Sequence, residues 1–127
     1  MIDMAENIKI GESEWYVMKA LWENAPLSGA QIVERLSRET DWSQSTIYTM
    51  IRRLHQKGAI CAKKEEVTLY SPVVTQEEAE RQEASSFVKR VYEGSVQMMV
   101  QGFLKDNRLT QQDIRELKKL LEEREGK

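Results

Sequence analysis

Between Ser43 and Arg53 the chain gathers hydroxyls, an amide, a phenol and two guanidinium groups, with no carboxylate among them: Ser43, Gln44, Ser45, Thr46, Tyr48, Thr49, Arg52 and Arg53. Groups of this kind hydrogen-bond to base edges and pair with phosphate oxygens of double-stranded DNA. The carboxylate-free run extends from Trp42 to Lys64 and adds the cations Lys57, Lys63 and Lys64. Glutamine can pair with adenine through two hydrogen bonds, and a threonine methyl can meet a thymine methyl. The N-terminal end of a groove-bound helix reaches base edges, while positions farther along meet phosphate. Gln44, Ser45, Tyr48 and Thr49 are therefore candidates for base-edge contact, with Thr46 beside them. Ser43, Arg53, Lys63 and Lys64 are candidates for phosphate, and Arg52 suits either a guanine or a phosphate.

These side chains need a helix to aim them, and the intervening residues supply one. Ile47, Met50, Ile51 and Leu54 fall at i, i+3, i+4 and i+7, the spacing of one buried face. The opposite face carries Ser45, Thr49, Arg52 and Gln56. Ser43 is placed to cap this helix, Trp42 and Ile47 to staple it, and Gly58 to end it. Two helices precede it. The first begins near Gly11, with Glu14 as half of a capping box, buries Val17, Met18, Leu21 and Trp22, and stops before Pro26. The second opens on the full capping box Ser28 to Gln31, buries Ile32, Val33 and Leu36, and runs to about Arg38. After Gly58, the residues Ile60, Val67, Leu69 and Tyr70 suit two strands joined at Glu65-Glu66 and closed by Pro72. A helix-turn-helix followed at once by a two-stranded hairpin is a winged helix.

From Thr75 the composition changes. Thr75 to Glu78 is another capping box, opening a charged helix with the stripe Ala84, Phe87, Val88, Val91 and Tyr92; Gly94-Ser95 interrupts it. Val96, Met99, Val100, Phe103 and Leu104 form a second stripe, and Ile114, Leu117, Leu120 and Leu121 a third after a cap at Thr110 and Asp113. This is too little chain for an independent core. Each large apolar side chain gains roughly 1.5–3 kcal/mol on full burial, so a partner is expected to cover the stripes, most simply a second copy. The expected architecture is mainly α with a small β-wing: a winged-helix DNA-binding domain over 1–74 and a three-helix dimerisation domain over 75–127. The expected dimerisation residues are Phe87, Val91, Val96, Met99, Val100, Phe103, Leu104, Ile114, Leu117 and Leu121.

The totals agree with this picture. The 127 residues carry a net charge of −2, with 31% charged and 40% hydrophobic residues. That sum argues against indiscriminate coating of nucleic acid and leaves room for a local basic patch. No apolar run approaches the roughly 20 residues of a membrane helix, and the N-terminus lacks a signal-peptide segment, so a cytoplasmic protein is expected. Residues 1–10 read as a short arm. With one histidine, His55, and one cysteine, Cys61, no catalytic constellation, metal cluster or cofactor is expected. Cys61 alternates into a strand and reads as a small buried hydrophobe, and His55 as packed or solvated. The tryptophans Trp15, Trp22 and Trp42 read as core and staple residues, and Met98-Met99 as core or dimer interface.

In this order and spacing the motifs resemble the penicillinase-repressor family of bacterial winged-helix regulators. Trp42-Ser43, Thr46-Ile47, Thr49-Met50, Arg53-Leu54 and Lys57-Gly58 are similar to its recognition helix. Glu14-Trp15, Val17-Met18 and Leu21-Trp22 are similar to its first helix, Tyr70 and Pro72 to its second wing strand, and Phe87, Gly94-Ser95, Met99-Val100, Phe103-Leu104 and Leu109 to Leu117 to its dimerisation helices. The resemblance covers nearly the whole chain, and it implies a homodimeric repressor on a palindromic operator overlapping a promoter. In the β-lactam-responsive members, which this chain resembles more than the copper-responsive ones, a membrane sensor triggers proteolysis at an Asn-Phe bond. The aligned pair here is Gly102-Phe103, with the phenylalanine and without the asparagine. The Cys-x-Cys pairs of the copper-responsive members have no counterpart. The wing tip departs as well: Glu65-Glu66 would be repelled by phosphate, which leaves Lys63 and Lys64 to approach the backbone. Two other functions fit the same pattern, a repressor that binds a small ligand directly and a winged-helix module for protein partners; the carboxylate-free run argues against the second.

Overall fold

The computed structural model describes residues 8–126. Gly11, the expected start of the first helix, lies three residues ahead of it: its N–H donates to Glu14 Oε1 at 2.8 Å and its carbonyl accepts from the Trp15 N–H at 3.1 Å, while the N-cap is Ser13, whose side chain makes no capping bond. Helix α1 (Glu14–Asn24) buries Val17, Met18 and Leu21 and ends just before Pro26, which has no N–H to continue it. A short strand, β1 (Leu27–Ser28), follows. Ser28 Oγ accepts from the Gln31 N–H while Gln31 Oε1 accepts from the Ser28 N–H, the reciprocal box that starts α2 (Gly29–Glu39). Arg35 on α2 ties the two helices, its guanidinium lying 2.7 Å from Glu23 on α1 and 3.2 Å from Glu39.

Thr40 closes α2 by donating its hydroxyl to the Leu36 carbonyl at 2.9 Å. Four residues later α3 (Gln44–Lys57) begins under a Ser43 cap and buries Ile47, Met50, Ile51 and Leu54, the four positions of the apolar stripe. Gly58 ends it at φ +82°, a conformation open to glycine and strained for residues with a Cβ. The stripe packs with Val17, Met18 and Leu21 of α1 and Ile32 and Leu36 of α2 in one cluster. Each of these large side chains contributes roughly 1.5–3 kcal/mol by leaving water.

The wing has three strands where two were expected. Strands β2 (Ile60–Lys64) and β3 (Thr68–Pro72) are antiparallel, with Ile60 opposite Pro72 and Lys64 opposite Thr68. On the other side of β3, Leu27 of β1 lies opposite Tyr70, so the order is β1-β3-β2. Val67, expected in a strand, sits in the connecting turn and is 58% exposed. Cys61, expected to be buried, is exposed: Ile60 is the one buried residue of β2, and every residue from Cys61 to Lys64 is exposed as the strand runs out from the core into the wing. Past the wing, Val74 is buried and its carbonyl accepts from Trp22 Nε1–H at 3.0 Å, which returns the chain to α1. Of the arm expected over residues 1–10, residues 1–7 lie outside the described ones, while Ile8 and Ile10 pack on the core.

The chain forms two compact units, one through Glu83 and one from Ala84. Three helices follow the wing: α4 (Gln76–Tyr92), α5 (Val96–Lys105) and α6 (Gln111–Glu125). Gly94, at φ +88°, separates α4 from α5, and Ser95 caps α5 by accepting from the Met98 N–H at 3.1 Å. Thr110 and Asp113 form a complete capping box at the start of α6. None of residues 84–126 is buried. Val91, Val96, Met98, Val100, Leu104, Leu117, Leu120 and Leu121 are exposed large hydrophobics. No described helix is long and apolar enough to cross a membrane.

Because Leu54 is fully buried in the cluster that fixes α3, Leu54→Ala is expected to cost about 2–5 kcal/mol through lost burial and the remaining cavity. Urea denaturation monitored by far-UV circular dichroism checks this; a loss below about 1 kcal/mol contradicts the packing described.

Candidate nucleic-acid interface

The outer face of α3 follows from its inner one: once the stripe is turned inward, helical geometry leaves the polar positions facing water. Ser43, Gln44, Ser45, Thr46, Arg52, Arg53 and Gln56 are exposed, while Tyr48 and Thr49 are half-buried. At the N-terminal end the hydroxyls are already organised. Ser43 Oγ accepts from the Thr46 N–H at 3.2 Å and donates to Thr46 Oγ1 at 2.9 Å. Thr49 donates its hydroxyl to the Ser45 carbonyl at 2.9 Å, so its proton is taken up inside the helix. Gln44 keeps its amide for an outside partner, since no hydrogen bond engages its side chain among the described residues.

The cations divide into two groups. Arg52 and Arg53 take part in no ion pair among the described residues and stand on the carboxylate-free face. Lys63 and Lys64 alternate across β2, and the Lys63 ammonium lies 3.3 Å from Glu65 Oε1, so the wing tip offers less free positive charge than its lysines suggest. Lys57, the last residue of α3, turns away from the candidate face: its ammonium donates to Glu14 Oε1 at 2.5 Å and to the Lys9 carbonyl at 2.9 Å. His55 is exposed. The aromatic residues behind the helix pack edge-on, Tyr16 with Trp42 at 4.9 Å between ring centroids and Trp15 with Trp22 at 5.6 Å. No group of three or more metal-ligating side chains occurs among the described residues.

The penicillinase repressor family model matches residues 10–123. The penicillinase repressor of Bacillus licheniformis is 33% identical over 120 residues, covering 94% of each chain. The methicillin resistance regulatory protein MecI of Staphylococcus aureus is 32% identical over 114 residues, 89% of this chain and 93% of that one. Among solved structures, the monomeric form of Bacillus licheniformis BlaI in complex with the blaP half-operator aligns with a TM-score of 0.51 at 34% identity, covering 55% of this chain and 87% of that chain.

Two features behind the face escape a reading of the sequence. One is the buried carboxylate of Glu14, legible only as a capping partner. The other is the seat of Tyr48, whose ring lies against Gly29 at the start of α2. A Cβ at Gly29 would stand 2.5 Å from Tyr48 Cε1 and 3.1 Å from its hydroxyl, so any larger residue at 29 requires the Tyr48 ring to shift. Part of the Tyr48 surface, its hydroxyl end included, is thereby committed to the seam between the helices. Gly29→Ala is expected to destabilise the fold by about 1–3 kcal/mol, and by distinctly less in a Tyr48→Ala background. Equal losses in the two backgrounds, measured by urea denaturation, would show that the contact is not the cause.

Proposed function

The chain belongs to the penicillinase repressor family and is a winged-helix transcriptional repressor; we propose that it works as a cytoplasmic homodimer, holding two copies of α3 in successive major-groove segments of a palindromic operator. The observation that carries this reading is the outer face of α3, where Arg52 and Arg53 form no ion pair among the described residues and no carboxylate interrupts the run from Trp42 to Lys64. Gln44, Ser45 and Thr49 take base edges at the N-terminal end, with the half-buried Tyr48 beside them. Ser43, Thr46, Arg53 and Lys64 meet phosphate and fix the register. Lys63 does so once its contact with Glu65 opens. Because Thr49 donates its hydroxyl to its own helix, it offers its methyl to the groove, which suits a thymine. The solved relative bound to its half-operator supports this docking for the corresponding part of the fold.

Dimerisation is assigned to α4, α5 and α6. Val96 is 58% exposed and Leu121 67%, and Val91, Val100, Leu104 and Leu117 are open as well, with Phe87, Met99, Phe103 and Ile114 half-covered. Burying such residues against the same residues of a second copy recovers the transfer energy that a lone chain leaves unrealised. Two winged helices on one dimer engage half-sites about one helical turn apart, and occupancy of the promoter represses it. Loss of the dimer releases it. A sensor-linked protease could act at Gly102-Phe103 only after α5 unwinds there, because the carbonyl of that peptide accepts from the Asp106 N–H at 3.1 Å inside the helix end.

The test of the whole reading is a mobility-shift titration on DNA from upstream of the chain's own gene at two salt concentrations, with specific binding that weakens steeply as salt rises. Arg52→Ala and Thr49→Ala are each expected to weaken that binding by about 1–3 kcal/mol; full affinity in both variants refutes the docking face. Val100→Glu or Phe103→Glu is expected to give monomers in sedimentation velocity and to abolish repression. A dimer that survives both changes places the interface elsewhere.

A further inference from the structure

Glu14 is the one buried charged residue among those described, with its side chain 7% exposed. A lone carboxylate in that position would be costly, and the structure answers it on two sides. Oε1 accepts from the Lys57 ammonium at 2.5 Å and from the Gly11 N–H at 2.8 Å, and Lys57 donates in addition to the Lys9 carbonyl at 2.9 Å. The pair spans 43 positions of sequence and joins the last residue of α3 to the start of α1 and to the segment laid in front of it.

We propose that the Glu14–Lys57 pair is a positioning clasp for the recognition helix, and that Lys57 sets operator selectivity without contacting DNA. This rests on the reading of α3 as the helix that enters the groove. A 14-residue helix is about 21 Å long, so a tilt of about 5° started at its C-terminal end moves its N-terminal end by about 2 Å. Hydrogen bonds to base edges do not survive such a shift, because their distances tolerate only a few tenths of an ångström. Attraction between guanidinium groups and phosphates does survive it, because it acts over a screening length of about 8–10 Å. Loss of the clasp therefore falls on discrimination between sequences and spares the general attraction to DNA. A lysine that met phosphate would behave in the opposite way, since its removal weakens binding to every duplex and flattens the salt dependence.

The deciding variant is the double substitution Glu14→Gln with Lys57→Met. It removes one charge of each sign, leaves the net charge unchanged, strands no buried carboxylate and keeps an acceptor for the Gly11 N–H. The probes are the tightest duplex selected from a random pool by the unaltered protein and an unrelated duplex of equal length, each titrated across a range of salt. The expected result is an affinity for the selected duplex lower by about tenfold or more, with the unrelated duplex within about twofold and an unchanged slope against salt. A slope flatter by about 0.9 makes Lys57 a phosphate contact and overturns the clasp. Undiminished selectivity overturns it too. Should the double variant not melt cooperatively, Glu14→Gln alone decides: lowered selectivity at unchanged slope supports the clasp, and unchanged selectivity refutes it. An unaltered protein that selects no duplex refutes the DNA-binding reading itself, and the clasp falls with it.

Discussion

Burial of four side chains on one face of α3 is the constraint from which the rest of the first unit follows. Ile47, Met50, Ile51 and Leu54 leave water only because α1 and α2 bring Val17, Met18, Leu21, Ile32 and Leu36 against them. At the start of α2, Gly29 leaves room for the Tyr48 ring of α3. Ile60 of the sheet and Val74 just beyond it complete the packing, the latter held by the Trp22 indole. A helix whose folding needs are met entirely on one side has the other side free for chemistry. That separation lets the outer face carry serine, glutamine, threonine and arginine, which contribute little to the core.

Charge is arranged with the same economy. A chain of net charge −2 would repel DNA if its carboxylates were spread evenly. Here Glu23 and Glu39 are engaged by Arg35, Glu14 is turned inward against Lys57, and Glu65 lies beside Lys63 at the wing. What remains unanswered on α3 is positive. The field a duplex meets is therefore set by which ion pairs are closed, and the formal sum over the chain is a poor guide to it.

The parts of this molecule legible in its sequence are those where several local signals coincide. Over α3 the 3.6-residue stripe, the Ser43 cap and the Gly58 stop all mark the same helix, and the capping boxes at Ser28 and Thr110 likewise fix helix starts to the residue. Strand β1 is invisible by the same logic: two residues carry no period, and Ser28 serves as strand end and helix cap at once. Cys61 shows a different limit. A strand pattern does not show how far along the strand the core reaches, and here it stops at Ile60. The Glu14–Lys57 and Gly29–Tyr48 contacts join residues far apart in sequence, where no local pattern signals a pairing. At the candidate site, residue types pointed to the acid-free face of α3, whereas the inward turn of Lys57 and the pairing of Lys63 on β2 could come only from three-dimensional placement.

The absence of any buried residue between 84 and 126 has a consequence for gene dosage. Under the proposed dimer, the segment that acquires its dry contacts from a second copy makes the fraction of operator-competent protein depend on the number of copies in the cell. Pair formation scales with the square of the free chain concentration, so halving the supply removes more than half of the pairs wherever free chains predominate. A repressor built this way converts a modest fall in its own abundance into a sharper release of its promoter, and any process that consumes single chains acts with the same leverage.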